Sequence, residues 1–244
     1  MMRALHFRSM DALGYVDCGD NRDEVLFPWI RERIRAERPA HVLDFGCGDA
    51  RFSLQLAQIT AAVTAYDRDP LMRDQARRRI ARTSAVERNA VSLCEQPEAD
   101  WAGRFDAVVL LGVWMCWRTH EECVENLSLL ARSLKHDGML VAAVTHPCFR
   151  NRGFATYRTD FDERRYMENG GPFQVFVGQP GKEIVIEDYH WNLEAMIAQA
   201  TQAGLRLTEL KEHSDGKNGE LPSWLSLVLR PCRSDSSRCG AADA

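Results

Sequence analysis

The sequence contains no Cys-x-x-Cys pair: its eight cysteines, Cys18, Cys47, Cys94, Cys116, Cys123, Cys148, Cys232 and Cys239, are scattered along the chain. That spacing excludes a zinc ribbon and a dithiol redox motif. The histidines and carboxylates show no ligand spacing on any one predicted helix, so no metal is expected. No apolar run approaches the roughly 18 residues of a membrane span, and Met1-Met2-Arg3-Ala4 leads into polar sequence rather than a signal-peptide core. Positive charge is not in surplus either, with 31 Lys plus Arg against 35 Asp plus Glu and a formal charge of -4. Neither nucleic acid nor an anionic membrane is then expected as a partner. These absences point to reduced thiols, a cytoplasmic setting and a small uncharged or cationic partner; a monomer or homodimer is expected, the sequence leaving the choice open.

What is present is an ordinary globular composition, 244 residues with 45% hydrophobic and 27% charged, which suits one domain. His41 to Phe45 reads as a strand and Ala50 to Ile59 as a helix. Val63 to Tyr66 reads as a second strand. Asp69-Pro70 then offers an N-cap and a preorganised first position for a solvated helix over Arg73 to Arg82. A third strand is poorly defined between Val86 and Leu93, whereas Phe105 to Leu111 is a continuous apolar run of the kind buried on both faces. Thr119-His120-Glu121-Glu122 has the form of a capping box, and the helix it starts runs to a stop near Gly138. Met139 to Thr145 is a further buried strand.

These alternating units predict an α/β fold: a doubly wound, Rossmann-like sheet of about seven strands, mostly parallel with an antiparallel last strand. Residues 1–244 read as a single domain with a helical cap over 1–40, a ligand-binding core over 41–147, an insertion over 148–190, a closing helix and strands over 191–232, and a loose tail over 233–244. The insertion, which follows strand five, is aromatic, Gly-rich and charged without clear periodicity.

The stretch Val42-Leu43-Asp44-Phe45-Gly46-Cys47-Gly48-Asp49 is a strand ending in two glycines one residue apart. Glycine lets backbone approach a ligand closely, which points to a nucleotide-type site. The dinucleotide fingerprint G-x-G-x-x-G is incomplete, because Arg51 stands at its third glycine. With Asp44 inside the strand, the stretch instead resembles the first motif of class I S-adenosylmethionine-dependent methyltransferases. Tyr66-Asp67, 19 residues beyond Gly48, is similar to that family's acidic motif for the ribose, and Phe105 to Val113 to its fourth-strand motif. Ser133-Leu134-Lys135-His136-Asp137-Gly138 resembles the turn before strand five, with His136 and Asp137 as departures. The resemblance covers Val42 to Val144 and is silent on the acceptor.

The resemblance implies S-adenosyl-L-methionine as cofactor and a role for each matching residue. Gly46, Cys47 and Gly48 would approach the methionine part, with Asp44 orienting that loop or the ammonium. Asp67 would hold the ribose diol, as a carboxylate can accept from two vicinal hydroxyls. Arg68 would lie against the adenine edge, Ser92 or Leu93 beside the ring, and Leu111, Gly112 and Val113 along the methionyl and sulfonium side.

Three histidines, His120, His146 and His190, stand where they could supply a base should the acceptor need one, and the first two are the catalytic candidates. His120, next to Arg118, resembles a pair used by aminocoumarin C-methyltransferases; an exposed first-turn histidine is the alternative. His146 follows strand five. Candidates for the acceptor pocket are Tyr15, Trp114, Met115, Arg118, His146, Phe149, Tyr189 and His190, with a small aromatic core as the competing role for such residues. Together these features point to methyl transfer onto a small, planar aromatic or heteroaromatic metabolite. N-methylation is favoured over O- or C-methylation, as in the biosynthesis of azapteridine antibiotics. The alternatives are a methyltransferase acting on RNA or protein, and a cofactor-binding regulator without turnover.

Overall fold

The computed structural model describes residues 22–97, 101–154, 157–179, 181–214 and 221–232. Tyr15 and the tail over 233–244 lie outside them. The described strands, in chain order, are β1 (His41–Phe45), β2 (Ala62–Tyr66), β3 (Val91–Cys94), β4 (Phe105–Leu111), β5 (Leu134–Thr145), β6 (Tyr157–Thr159), β7 (Gly171–Gln179), β8 (Lys182–His190), β9 (Leu205–Ser214) and β10 (Pro222–Pro231). Seven of them form one sheet in the order β3-β2-β1-β4-β5-β10-β9. β1 to β5 pair in parallel, and β10 runs antiparallel to both of its neighbours. This is the mostly parallel Rossmann-like sheet that the sequence predicts. Strand order reverses between β1 and β4, and a crevice opens at the carboxyl ends of such a pair.

The central strands explain their own composition. Val42 and Leu43 of β1, Val108 to Leu110 of β4 and Leu140 to Ala142 of β5 are fully buried, as expected where elements cover both faces of a sheet. The described helices are α1 (Phe27–Glu37), α2 (Arg51–Leu56), α3 (Pro70–Ala81), α4 (Ala85–Ala90), α5 (His120–Ser133) and α6 (Leu193–Gln202). α1 buries Phe27, Ile30 and Ile34. α3 starts where Asp69 Oδ1 accepts from Leu71 N at 2.8 Å, with Pro70 in the first turn. At α5, Thr119 Oγ1 accepts from Glu122 N at 3.1 Å, while Glu122 Oε2 accepts from Arg118 N rather than from Thr119 N.

Three local expectations are corrected. Val86 belongs to α4, not to the third strand: Ser84 caps this helix by accepting from Glu87 N, which leaves only Val91–Cys94 for β3. α5 ends at Ser133, and Gly138 lies inside β5 at an irregularity in its pairing with β4. A Cβ there would sit 3.0 Å from Lys135 O, so the close approach of backbone, not a helix stop, requires glycine. The insertion is not irregular throughout. β6, β7 and β8 form an antiparallel three-stranded sheet with its own apolar cluster of Tyr157, Phe161, Phe173 and Val175.

Two buried contacts tie this small sheet to the large one. Tyr157 Oη donates to Ser223 O of β10 at 2.6 Å. Arg150, 4% exposed, donates from Nε to His190 Nδ1 (3.1 Å) and from Nη1 to Thr145 Oγ1 (3.0 Å), and stacks on Phe173 with 4.2 Å to the ring centroid. Arg150→Met retains the apolar stem and deletes these donors. It should cost about 2–3 kcal/mol in urea unfolding, the usual size of buried hydrogen bonds to a charged group.

Candidate functional site

The turn after β1 is shaped by bonds to the end of β2. Gly46 N and Cys47 N both donate to Tyr66 O, at 2.7 and 2.9 Å. Gly46 takes a φ of 83°, and a Cβ on it would stand 2.2 Å from Val113 Cγ2, so the loop after β4 can approach only a glycine. Gly48 N then donates to Asp67 Oδ2 at 2.9 Å, and Asp69 N to Asp67 Oδ1 at 2.9 Å. Each carboxylate oxygen of Asp67 keeps one further lone pair for a ligand. Arg73 Nη1 fixes the same loop by donating to Asp67 O and Arg68 O, at 2.8 and 3.0 Å.

These loops open into a cavity of about 280 Å³. One end is lined by Asp44, Gly46, Cys47, Gly48, Asp67 and Arg68, and by Leu111, Gly112 and Val113 after β4. Its other end reaches the insertion sheet through Tyr157, Val175, Val177, Ile186 and Asp188, beside Thr145 and Trp224 at the ends of β5 and β10. Burial raises the Asp67 carboxyl above its usual range, opposed by the two backbone N–H groups it accepts. Burial likewise pushes Asp44 up to about 7; the Ser53 hydroxyl, donating at 2.6 Å, opposes the shift, and the nearby Asp67 charge adds to it.

Most of the other positions expected from sequence lie elsewhere. Ser92 and Leu93 border a separate depression with Thr64 and Arg104, because β3 ends before the chain turns toward the cavity; Pro97 is the lining residue there. Met115 lines the cavity, but Trp114 is core, with its Nε1 donating to Gln199 Oε1 at 2.8 Å. His120 faces α6, where its Nε2 meets Gln202 Oε1 at 2.9 Å, and with Arg118 it lines a different groove. His146 is 3% exposed, its Nδ1 accepting from Cys148 N and its Nε2 bonded to Glu212 Oε1 at 3.0 Å; burial lowers its pKa. Both ring nitrogens are thus engaged away from the cavity. Phe149 packs against His146 at a tilt of 41°, with centroids 4.7 Å apart. Tyr189 Oη donates to Glu187 Oε1 at 2.7 Å. His190 is fully buried between Arg150 and Tyr166 O, and burial beside the Arg150 charge lowers its pKa to about 4.

Tyr157 is one of the insertion aromatics that sequence offers as a wall for a flat acceptor, but sequence reasoning missed the aliphatic and acidic part of that wall. Its signal was available as an alternation, Phe173, Val175, Val177 and then Ile184, Ile186, Asp188, around the turn-forming pair Pro180-Gly181. Trp117, in the aromatic cluster with Trp114 and Met115 after β4, lines the cavity as an aromatic wall residue, whereas Phe27, also in the lining, carried no comparable signal.

The residues present suit S-adenosylmethionine: a carboxylate with spare acceptors for a ribose diol, glycines that admit ligand against backbone, and acidic groups for a cationic ligand. Residues 42–138 match the family model described as a methyltransferase domain. No curated protein matches the sequence. Among solved structures, the chain is similar to the CcbJ methyltransferase from Streptomyces caelestis, at 16% identity and a TM-score of 0.63 over 89% of this chain and 98% of that one. It is also similar to an S-adenosylmethionine-dependent methyltransferase from Clostridium acetobutylicum, at 11% identity and a TM-score of 0.64 over 93% and 97% of the two chains. The N-methyltransferase NodS from Bradyrhizobium japonicum, in complex with S-adenosyl-L-homocysteine, gives 16% identity and a TM-score of 0.60 over 93% and 98%. At these identities the structures speak for the fold. The family match makes residues 42–138 a methyltransferase domain, in line with the class I S-adenosylmethionine-dependent superfamily, and the Rossmann-like sheet agrees with it. It is an enzyme, and its cofactor is S-adenosylmethionine.

Two outcomes test the cofactor end. Asp67→Asn should weaken S-adenosylhomocysteine binding about 10- to 100-fold in calorimetry, the cost of one or two charged hydrogen bonds, with the far-ultraviolet dichroism unchanged. Asp44 supplies a pH test. From about pH 4 to 7 the native carboxyl keeps a proton that the unfolded chain has released, so stability falls as pH rises through that window. Asp44→Asn, neutral throughout, should therefore gain stability over the parent as pH rises from about 4 to 7, with the gain level above 7.

Proposed function

We propose that the enzyme methylates a nitrogen on a small metabolite with a planar aromatic or heteroaromatic body, in specialised metabolism of the kind that makes antibiotics. The observation that carries this reading is the continuity of the cavity from the β1 and β4 loops to the insertion wall. Tyr157, Trp224, Trp117 and the aliphatic side chains of β7 and β8 offer that end apolar and aromatic surface suited to a flat ring. The cavity is close to the ~300 Å³ lower end of small-molecule sites. The name of NodS as an N-methyltransferase supports nitrogen over oxygen or carbon. A cytoplasmic setting belongs to the same proposal and rests on the isolated cysteine spacing.

When bound, the cofactor supplies a methyl group activated by a sulfonium. The chain's own part is alignment and exclusion of water. Asp67 would hold the ribose, the Gly46 to Gly48 turn would seat the methionine part, and the insertion wall would present the acceptor nitrogen in line with the methyl carbon.

Incubation with methyl-labelled S-adenosylmethionine and a panel of planar amines, nitrogen heterocycles and phenols, alongside bulk RNA and protein, tests the reading. Label should appear on nitrogen in a small molecule; label in RNA or protein instead would overturn it. His120→Ala and His146→Ala should leave the rate nearly unchanged, well short of the roughly 10²–10⁴-fold loss that follows removal of a general base.

A further inference from the structure

Among the described lining residues, Asp188 is the one carboxyl that the insertion sheet brings to the cavity. It shares a face of β8 with Ile186 and stands opposite Phe173 of β7. Its companions on that wall, Tyr157, Val175, Val177 and Ile186, carry no carboxylate. A carboxyl only 3% exposed among such neighbours is costly to ionise unless a cation offsets it.

The groups that face Asp188 define its field. Burial pushes its carboxyl up to about 7, the Arg150 guanidinium opposes the shift, and Glu187 adds to it. Arg150 also donates to His190 and Thr145. β8 also packs on the Trp114–Cys116 turn that follows β4. The Cys116 thiol of that turn is pushed up by burial and by the charges of Asp188 and Asp67. Cys116, Asp67 and Asp188 line the same cavity, which puts Asp188 near the junction of the β1, β2 and β4 loops and the insertion wall. The histidines that could have served there, His120 and His146, are bonded to Gln202 and Glu212.

We infer that Asp188 is a catalytic residue that binds a protonated amine of the acceptor and takes its proton before methyl transfer. The inference rests on the N-methylation reading above and narrows the acceptor to amines that are cationic in water. A proton passes from the ammonium nitrogen to a carboxylate oxygen of Asp188, freeing the nitrogen lone pair. That pair forms the new N–C bond as the C–S bond breaks, and the C–S electron pair stays on sulfur. The nitrogen ends with the positive charge that the sulfonium loses, and Asp188 returns its proton to water once the product leaves.

The test uses protein loaded with S-adenosylhomocysteine and matched probes: tryptamine, tryptophol and indole-3-propionate, then tyramine, tyrosol and 3-(4-hydroxyphenyl)propionate. Calorimetry should show the amines binding more tightly than their alcohol and carboxylate counterparts. Asp188→Asn should weaken amine binding about 10-fold or more, the cost of one charge-assisted hydrogen bond, while leaving tryptophol and S-adenosylhomocysteine affinities unchanged. Unchanged S-adenosylhomocysteine affinity also marks an intact fold, and Asp188→Ser serves should the first variant fail that check. Equal amine binding by variant and parent, preference for the alcohols or carboxylates, or no amine binding at all would overturn the role of Asp188. Labelled-methyl transfer separates the two failures. Transfer to a neutral small acceptor that survives Asp188→Asn removes Asp188 alone, whereas transfer only to RNA or protein removes the small-acceptor reading with it.

Discussion

The site depends on a pin between the ends of β1 and β2. Tyr66 O accepts from two successive amides, Gly46 N and Cys47 N, and the carboxylate of the next residue, Asp67, accepts from Gly48 N. Backbone amides that would otherwise need water are satisfied by the neighbouring strand end, so the turn keeps its shape without a ligand. Because the pinned residue is a glycine at φ 83°, Val113 can close against it from the β4 side. The same pin aligns Asp67 with the crevice opened by the reversal of strand order. Loss of this geometry would displace the β1, β2 and β4 loops together.

A second constraint is electrostatic. Asp44, Asp67 and Asp188 all line the cavity, all are almost fully buried, and burial raises each above the ordinary carboxylate range. Such a set costs stability in the empty protein, a cost that a cationic ligand offsets on entry. S-adenosylmethionine brings a sulfonium and an ammonium; an amine acceptor would bring a further charge. Transfer removes the sulfonium, so the field that favours the donor is weaker toward the thioether product. The chain's net charge of -4 acts in the same direction at longer range.

What could be read in the sequence follows from how each element is stabilised. β1, β4 and β5 are covered on both faces and therefore announce themselves as apolar runs, and Asp44, the two glycines and Asp67 sit at fixed offsets from strand ends. β3 is short and at an edge, with a capped helix directly before it, so neither a run nor an alternation marked it. The insertion hairpin carries an alternation that is easily passed over, because its cavity face mixes Val175, Val177 and Ile186 with Asp188 and its other positions include aromatics such as Phe176. The histidines show the limit most clearly. Sequence can place His120 and His146 near the carboxyl ends of strands, but not which way their rings turn, and Gln202 and Glu212, which hold them, are distant in sequence.

The central claim is one cavity with a donor end at Asp67 and an acceptor end at the insertion sheet. A crystal structure with S-adenosylhomocysteine bound is its most direct test. The account predicts the ribose diol within hydrogen-bond distance of Asp67 and the thioether sulfur turned toward Tyr157 and Asp188. A ligand seated beside Ser92 and Leu93, or one whose sulfur faces away from the insertion sheet, would contradict it.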